Sequence, residues 1–251
     1  MKKVSLLAAA ALIMSAGSAS AQDWAGFYVG GNISSSSGQS DQDATIGGQW
    51  SAETQNTRDF VSQHFDGDLD PEGWGYGIQG GYNWQTESGF VFGGEIGYSM
   101  LDADDASGDR VGSPSASPAL IYTVSNATEI ESVLNARANL GYDFGGVLGY
   151  VVLGYSWAEV SSDILITSNG NYLKAASESD NVGGFTWGLG GAIRLGGPWS
   201  ARLEYTRTDF DELSYSTVYR PGSSFTSPAY TENYNEDLSL DSIQVGINFD
   251  F

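Results

Sequence analysis

The chain has 251 residues, 31 of them acidic and 10 basic, for a formal net charge of −21, and it contains no cysteine. Such an acidic surface repels nucleic-acid phosphates and favours divalent cations or basic partners, which excludes a nucleic-acid role. The lack of cysteine excludes a disulfide framework and thiolate metal ligation, and the length suits one barrel or sandwich.

Lys2 and Lys3 precede an apolar stretch from Val4 to Met14, followed by Ala19-Ser20-Ala21, the pattern of a secretory signal. Residues 1–21 are predicted to be removed, with cleavage after Ala21, leaving residues 22–251 as one barrel domain. Loss of Lys2 and Lys3 takes the net charge from −21 to −23. The apolar core of the signal is too short to span a bilayer, and no later run is long enough for a transmembrane helix. If the mature chain enters a membrane, it must do so as a closed sheet.

Eight segments follow in which apolar and polar residues alternate with the two-residue period of a strand. The first, Trp24 to Ser34, sets Phe27, Val29 and Gly31 against Tyr28, Gly30 and Asn32. The second, Gly73 to Trp84, groups Trp74, Tyr76, Ile78, Tyr82 and Trp84 against Gly75, Gly77, Gln79, Gly81 and Asn83. A tight turn at Thr86 to Gly89 leads to the third, where Phe90, Phe92, Ile96, Tyr98 and Met100 oppose Gly93, Glu95, Gly97 and Ser99. In the fourth, Ile130, Leu134, Ala136, Ala138, Leu140, Tyr142 and Phe144 oppose Glu131, Asn135, Arg137, Asn139 and Asp143. Gly145-Gly146 then supplies a two-residue hairpin turn. The fifth carries Val151, Leu153, Tyr155 and Trp157, and its other face, with Tyr150 and Val152, is the least polar of the set. In the sixth, Phe185, Trp187, Leu189 and Ile193 oppose Thr186, Gly188, Gly190 and Arg194. Gly196-Gly197-Pro198 turns into the seventh, with Trp199, Ala201, Leu203 and Tyr205 opposite Ser200, Arg202, Glu204 and Thr206. The eighth alternates Ile243, Val245, Ile247, Phe249 and Phe251 with Ser242, Gln244, Gly246, Asn248 and Asp250.

Long and short connections alternate, and the long ones, residues 35–72, 101–128, 161–181 and 212–237, are rich in Ser, Asp, Asn, Gly and Pro. They are expected to be mainly solvated loops at one end, with strand-like pieces at Ala119–Val124 and Ile164–Ile166, and both termini lie at the other, periplasmic end. A two-residue period does not say which face is inside. Three features place the apolar face outward: small residues crowd the polar face, aromatics gather in two girdles, and a secretion signal precedes the segments. The girdles are Trp84, Phe90, Phe144, Trp199 and Phe251 near the short turns, and Trp74, Tyr98, Trp157 and Tyr205 near the long connections. The expected fold is therefore all-β, an eight-stranded antiparallel up-and-down transmembrane β-barrel.

Eight strands leave an interior about filled by side chains, so charges there need partners. Glu95, Arg137, Arg202 and Glu204 fall mid-segment on the polar face and are predicted to form an internal ion-pair network with Gln79, Asn139 and Gln244 as neighbours. Two roles compete for it: a gate or proton path, and the favoured structural plug of a neutral set.

The run Trp24-Ala25-Gly26-Phe27-Tyr28-Val29-Gly30-Gly31-Asn32, the Gly80-Gly81-Tyr82-Asn83-Trp84 end of the second segment, Phe92-Gly93-Gly94-Glu95 and the closing Val245-Gly246-Ile247-Asn248-Phe249-Asp250-Phe251 resemble the small OmpA-like outer-membrane barrel proteins of alphaproteobacteria, the porin-family proteins. The resemblance covers the segments and not the long connections. It implies insertion by the barrel-assembly machinery, which reads Ile247, Phe249 and Phe251 as its signal, and a role in envelope integrity or surface interaction. The barrel is not followed by a peptidoglycan-binding module, so anchoring to the cell wall is not expected.

Some small outer-membrane barrels are lipid-modifying enzymes or proteases that use a histidine. The one histidine, His64, lies near Asp59, Asp66 and Asp68, but no motif marks a nucleophile, and it is expected to be a solvent-exposed loop residue. Asp66-Gly67-Asp68-Leu69-Asp70-Pro71-Glu72 alternates carboxylates like a calcium loop, yet lacks the required glycine and the terminal glutamate. That run and the group Asp102, Asp104, Asp105 and Asp109 are expected to be solvated charge, with bridging of divalent cations to lipopolysaccharide phosphates as the alternative. The expectation is a monomeric structural or surface-interaction protein of a Gram-negative outer membrane, without catalysis, metal or cofactor. Its partners are outer-membrane lipid, lipopolysaccharide and a possible extracellular ligand of the loops. A small-solute porin and a lipid-modifying enzyme are the alternatives.

Overall fold

A computed structural model describes residues 23–226 and 229–251. The predicted signal and its cleavage site at Ala21 lie outside the described residues. In chain order the elements are β1 (Gly26–Gly48), a short 3-10 turn (Gln49–Ala52), α1 (Gln55–Phe65), β2 (Gly67–Leu69), β3 (Glu72–Gln85), β4 (Phe90–Ala106), β5 (Arg110–Gly112), β6 (Tyr122–Asp143), β7 (Val147–Ser168), β8 (Leu173–Gly196), β9 (Trp199–Phe210), β10 (Leu213–Ser216), β11 (Val218–Tyr219) and β12 (Tyr230–Asp250). No described helix is long and apolar enough to cross a membrane.

Eight of these strands form a ring, β1-β3-β4-β6-β7-β8-β9-β12, each antiparallel to its neighbours. The ring closes where Val29 faces Phe249 and Ile33 faces Val245, so β1 has no free edge. The short turns follow from glycine: Gly145 and Gly146 take φ of 89° and 93°, a region closed to side chains, and the Asp143 carboxylate accepts from both of their amides at 2.9 Å.

Side chains that alternate along each strand divide by polarity in the sense opposite to a water-soluble barrel. Ile78 and Trp74 on β3 are 70% exposed and Leu153 on β7 is 55% exposed, whereas Glu95, Arg137 and Glu204 are buried. A belt of exposed aliphatic and aromatic groups around the ring suits hydrocarbon, and it has no counterpart on an ordinary soluble surface.

The strands run well past that belt. β1 is 23 residues long, about 75 Å at the usual rise, where about 9–11 residues cross a bilayer. Most of the expected solvated loop is therefore strand: β1 continues to Gly48, β7 to Ser168, and β8 and β12 begin at Leu173 and Tyr230. Within this extension many inward residues are apolar, and Val124, Val160, Ile164, Ile166, Tyr234 and Leu238 build a core, with buried polar groups such as Gln42, Lys174, Glu232 and Glu236 set among them. Trp50 and α1 fold back into the mouth and add Val61 and Phe65 to it. Thr54 caps α1 by accepting from the Thr57 amide.

Ile130 and Glu131 change face, Glu131 being exposed rather than inward with Arg137. Ile130 was expected to point outward with Leu134, but it is fully buried in the extension core while Leu134 is 43% exposed. A bulge between Ile130 and Ser132 in the pairing of β6 with β7 inserts one residue, and one residue reverses the face of everything beyond it.

Candidate functional site in the lumen and at its mouth

Four layers close the interior. At mid-height the structure brings together the four charges singled out in the sequence. Glu95 and Arg137 stand opposite each other on β4 and β6. Arg137 donates from Nε and Nη2 to Glu95 Oε1, the first at 3.1 Å, and from Nη1 to Glu204 at 2.5 Å. Arg202 donates to Glu95 Oε2 at 2.5 Å. The set is electrically neutral, and Glu95 and Glu204 are 3% and 1% exposed. Two carboxylates facing two guanidiniums satisfy the condition on which buried charge is tolerated.

The expected amide neighbours do not join this set. Gln79 accepts from Asn32 at 2.6 Å and donates to Asn248 at 2.8 Å, Asn139 Oδ1 has no partner among the described residues, and Gln244 lines a cavity instead. Two phenols complete the network: Tyr28 donates to Glu95 at 2.7 Å and Tyr150 to Glu204 at 3.0 Å. Both cross the lumen over glycine. A Cβ on Gly81 would sit 2.5 Å from the Tyr28 oxygen, and one on Gly190 would sit 2.4 Å from the Tyr150 ring. Tyr150 thus accounts for the weakly polar face of the fifth segment.

Toward the short turns, Trp24, Val91, Leu148 and Ala192 form a small apolar seal. Arg194 lies over the Trp24 ring at 4.1 Å, with Nη1 2.7 Å from Asp250. Cavities of about 30 Å³ and 40 Å³ flank the central charges, room for one or a few waters each.

Above the centre, Glu236 is fully buried and held by hydroxyls alone: Ser40 at 2.6 Å, Ser162 at 2.7 Å, Thr128 at 2.9 Å and Tyr215 at 3.1 Å. Burial and the neighbouring carboxylate push the Tyr215 phenol well above its ordinary value, so it stays a donor. At the mouth, Lys174 donates to Glu232 at 2.5 Å, and Glu232 also accepts from Trp50 Nε1 at 2.6 Å, from Thr217 at 2.6 Å and from Tyr172. This cluster ties the Trp50 turn to β8 and β12.

His64 is not a free loop residue. It sits near the end of α1, half-buried, stacked on Phe60 at 4.8 Å between centroids. Its Nε2 is buried without a partner among the described residues, and burial first, then the Arg110 charge, lower its affinity for a proton. The acids near it in sequence are otherwise engaged: Asp59 accepts from Gln55, and Asp66 accepts from the Ala44 amide at 2.8 Å. Gly67–Leu69 is strand β2, paired with β1, so the calcium-like spacing is drawn out along a sheet edge.

Signals for the missed residues were weak. Tyrosine at an alternating position reads as apolar or interfacial, so nothing marked Tyr28 and Tyr150 as lumen donors, and Trp50, Lys174 and Glu232 meet only through the fold.

A model of the family described as outer membrane protein beta-barrel domain matches residues 6–251. The 31 kDa outer-membrane immunogenic protein of Brucella melitensis is 25% identical over 231 residues, covering 91% of this chain and 84% of that protein. Among solved structures, the outer membrane protease OmpT from Escherichia coli is similar with a TM-score of 0.50 at 7% identity, covering 90% of this chain and 97% of that one. Neisserial surface protein A gives a TM-score of 0.40 at 10% identity, covering 90% of this chain and 97% of that one. Identities this low between structures speak for the fold alone.

Proposed function

Because the chain belongs to the outer membrane protein beta-barrel domain family, whose model spans nearly all of it, we propose that it is a sealed barrel with a structural and surface-interaction role in the Gram-negative envelope. The observation that carries this reading is the neutral cross of Glu95, Arg137, Arg202 and Glu204, which fills the lumen at its middle. A lumen closed by paired charges and bounded by an apolar seal offers solutes no path. The long strand extension, capped by α1, then serves as a platform facing the outside, and the termini lie on the periplasmic side.

In this reading residues 1–21 direct export and are cleaved after Ala21. The exposed Ile247 and Phe251, with the intervening Phe249 edge-to-face against Trp199 at 5.1 Å between centroids, form the apolar stripe that the assembly machinery recognises. The barrel works as a monomer in contact with outer-membrane lipid and lipopolysaccharide. Surface display is in keeping with the name of the Brucella relative, an outer-membrane immunogenic protein.

Planar-bilayer recording separates a plug from a pore. The protein inserted from detergent is expected to show no discrete conductance steps, and removal of α1 alone is expected to leave it silent because the charged cross lies below. Reproducible solute-permeant steps from the intact protein would assign it as a porin instead.

A further inference from the structure

The core of the extension ends at the mouth in a recess of about 100 Å³ walled by Trp50, Tyr122, Tyr172, Phe225 and Tyr230, with Glu53 on its rim. The rings stand nearly upright to one another: Trp50 and Tyr230 are 4.6 Å apart at 64°, Tyr172 and Phe225 5.3 Å apart at 67°, and Phe225 and Tyr230 5.6 Å apart at 86°. Perpendicular rings form walls, and aromatic faces carry partial negative charge.

Two carboxylates serve this aromatic cluster, and they differ. Glu232 has a cation of its own, Lys174, whose Nζ also lies 4.8 Å above the Tyr219 ring. Glu53 is half-buried, and its carboxylate has one side-chain partner among the described residues, the Tyr230 hydroxyl at 2.8 Å. Burial and that bond push the Tyr230 phenol up to about 12, so it remains a donor at neutral pH. The recess therefore repeats the chemistry around Lys174, aromatic faces beside a carboxylate, but with no cation paired to that carboxylate among the described residues, since the nearby Arg58 guanidinium is engaged by the Glu53 backbone carbonyl at 2.6 Å and by Gln55 at 2.6 Å.

We propose that this recess binds a methylated ammonium group, with the aromatic walls of Trp50, Tyr172, Phe225 and Tyr230 against its methyls and Glu53 as its counter-ion. A bare ammonium would surrender strong hydration to walls that accept few hydrogen bonds, whereas a methylated one gives up little water and gains the ring faces. Anionic ligands are opposed by the Glu53 carboxylate and by the acidic surface at large. The site deepens the surface-interaction reading, since only an outward mouth meets such a ligand.

The test is calorimetric titration of the full chain, folded in a non-ionic detergent, with choline and with its uncharged tert-butyl isostere. Choline is expected to bind saturably at one site, the isostere at least about tenfold more weakly. Glu53→Gln and Phe225→Ala are each expected to weaken choline about tenfold while the heat-dependent gel mobility of the barrel stays as in the parent. No saturable heat with choline, equal binding of the isostere, or full affinity in Glu53→Gln would overturn the site. A chain that folds as a silent barrel yet ignores choline refutes this site and leaves the sealed-barrel function standing, whereas a conducting chain refutes that function first.

Discussion

At the scale of single residues, the lumen depends on charges that cannot be removed one at a time. Arg137→Ala leaves Glu95 with one guanidinium and Glu204 with none in direct contact, and stranding a buried carboxylate in this way costs about 3–5 kcal/mol. The urea midpoint of the variant in detergent is expected to fall accordingly; an unchanged midpoint would mean that the cross does not hold the barrel together. Gly190→Ala tests the phenol that bridges the lumen, because the new Cβ would lie 2.4 Å from the Tyr150 ring and push its hydroxyl off Glu204. A loss of about 1–3 kcal/mol is expected by the same measurement, typical of an overpacked interior. The four charges were legible because charge on an otherwise small, polar strand face has few explanations. Tyr28, Tyr150 and Arg194 were not singled out: a tyrosine announces neither which way it points nor how far it reaches, and the partner of Arg194, Asp250, lies 56 positions away in sequence.

At the scale of elements, the membrane-crossing portions were readable and their extensions were not, for one physical reason. Between Phe27 and Ile33 one face meets lipid and the other a polar lumen, so polarity alternates; from Ser34 to Gln42 nearly every residue is polar on both faces, and the period disappears although the strand continues. Past Ile130 the pattern misleads outright, because a bulge sends that side chain inward. Helix α1 was also hidden, having only Thr57, Val61 and Phe65 as its buried stripe. Its docking carries a prediction about pH. His64 prefers the neutral state in the folded protein, below the ordinary value of 6.5. The unfolded chain therefore takes up its proton first on acidification. The contribution of His64 is intact above about pH 6.5 and is lost as pH falls through that value toward the lowered folded one. The protection factors of amides within residues 55–65, with the intrinsic pH dependence of exchange divided out, are expected to fall between pH 7 and pH 5 in the parent and to stay level in His64→Phe. Identical profiles for the two proteins would take the pH response away from His64.

At the scale of the whole molecule, the barrel is an inside-out protein below and an ordinary one above. Its lower half turns apolar groups to the outside and seals paired charges within, while its upper half has an apolar core and a polar, acidic exterior. The two halves share the same eight strands, so the mouth and the lumen are mechanically one body. The central claim is that the belt of exposed aliphatic and aromatic groups faces hydrocarbon. The absence of native cysteine allows a nitroxide to be placed alone at Ile78→Cys, Leu153→Cys or Ile247→Cys in protein reconstituted into bilayers. Collision rates with lipid-dissolved oxygen and with a water-soluble nickel chelate then report the solvent of each position. High oxygen and low nickel accessibility at all three is the result the account predicts, and free access of the nickel chelate to them would contradict it.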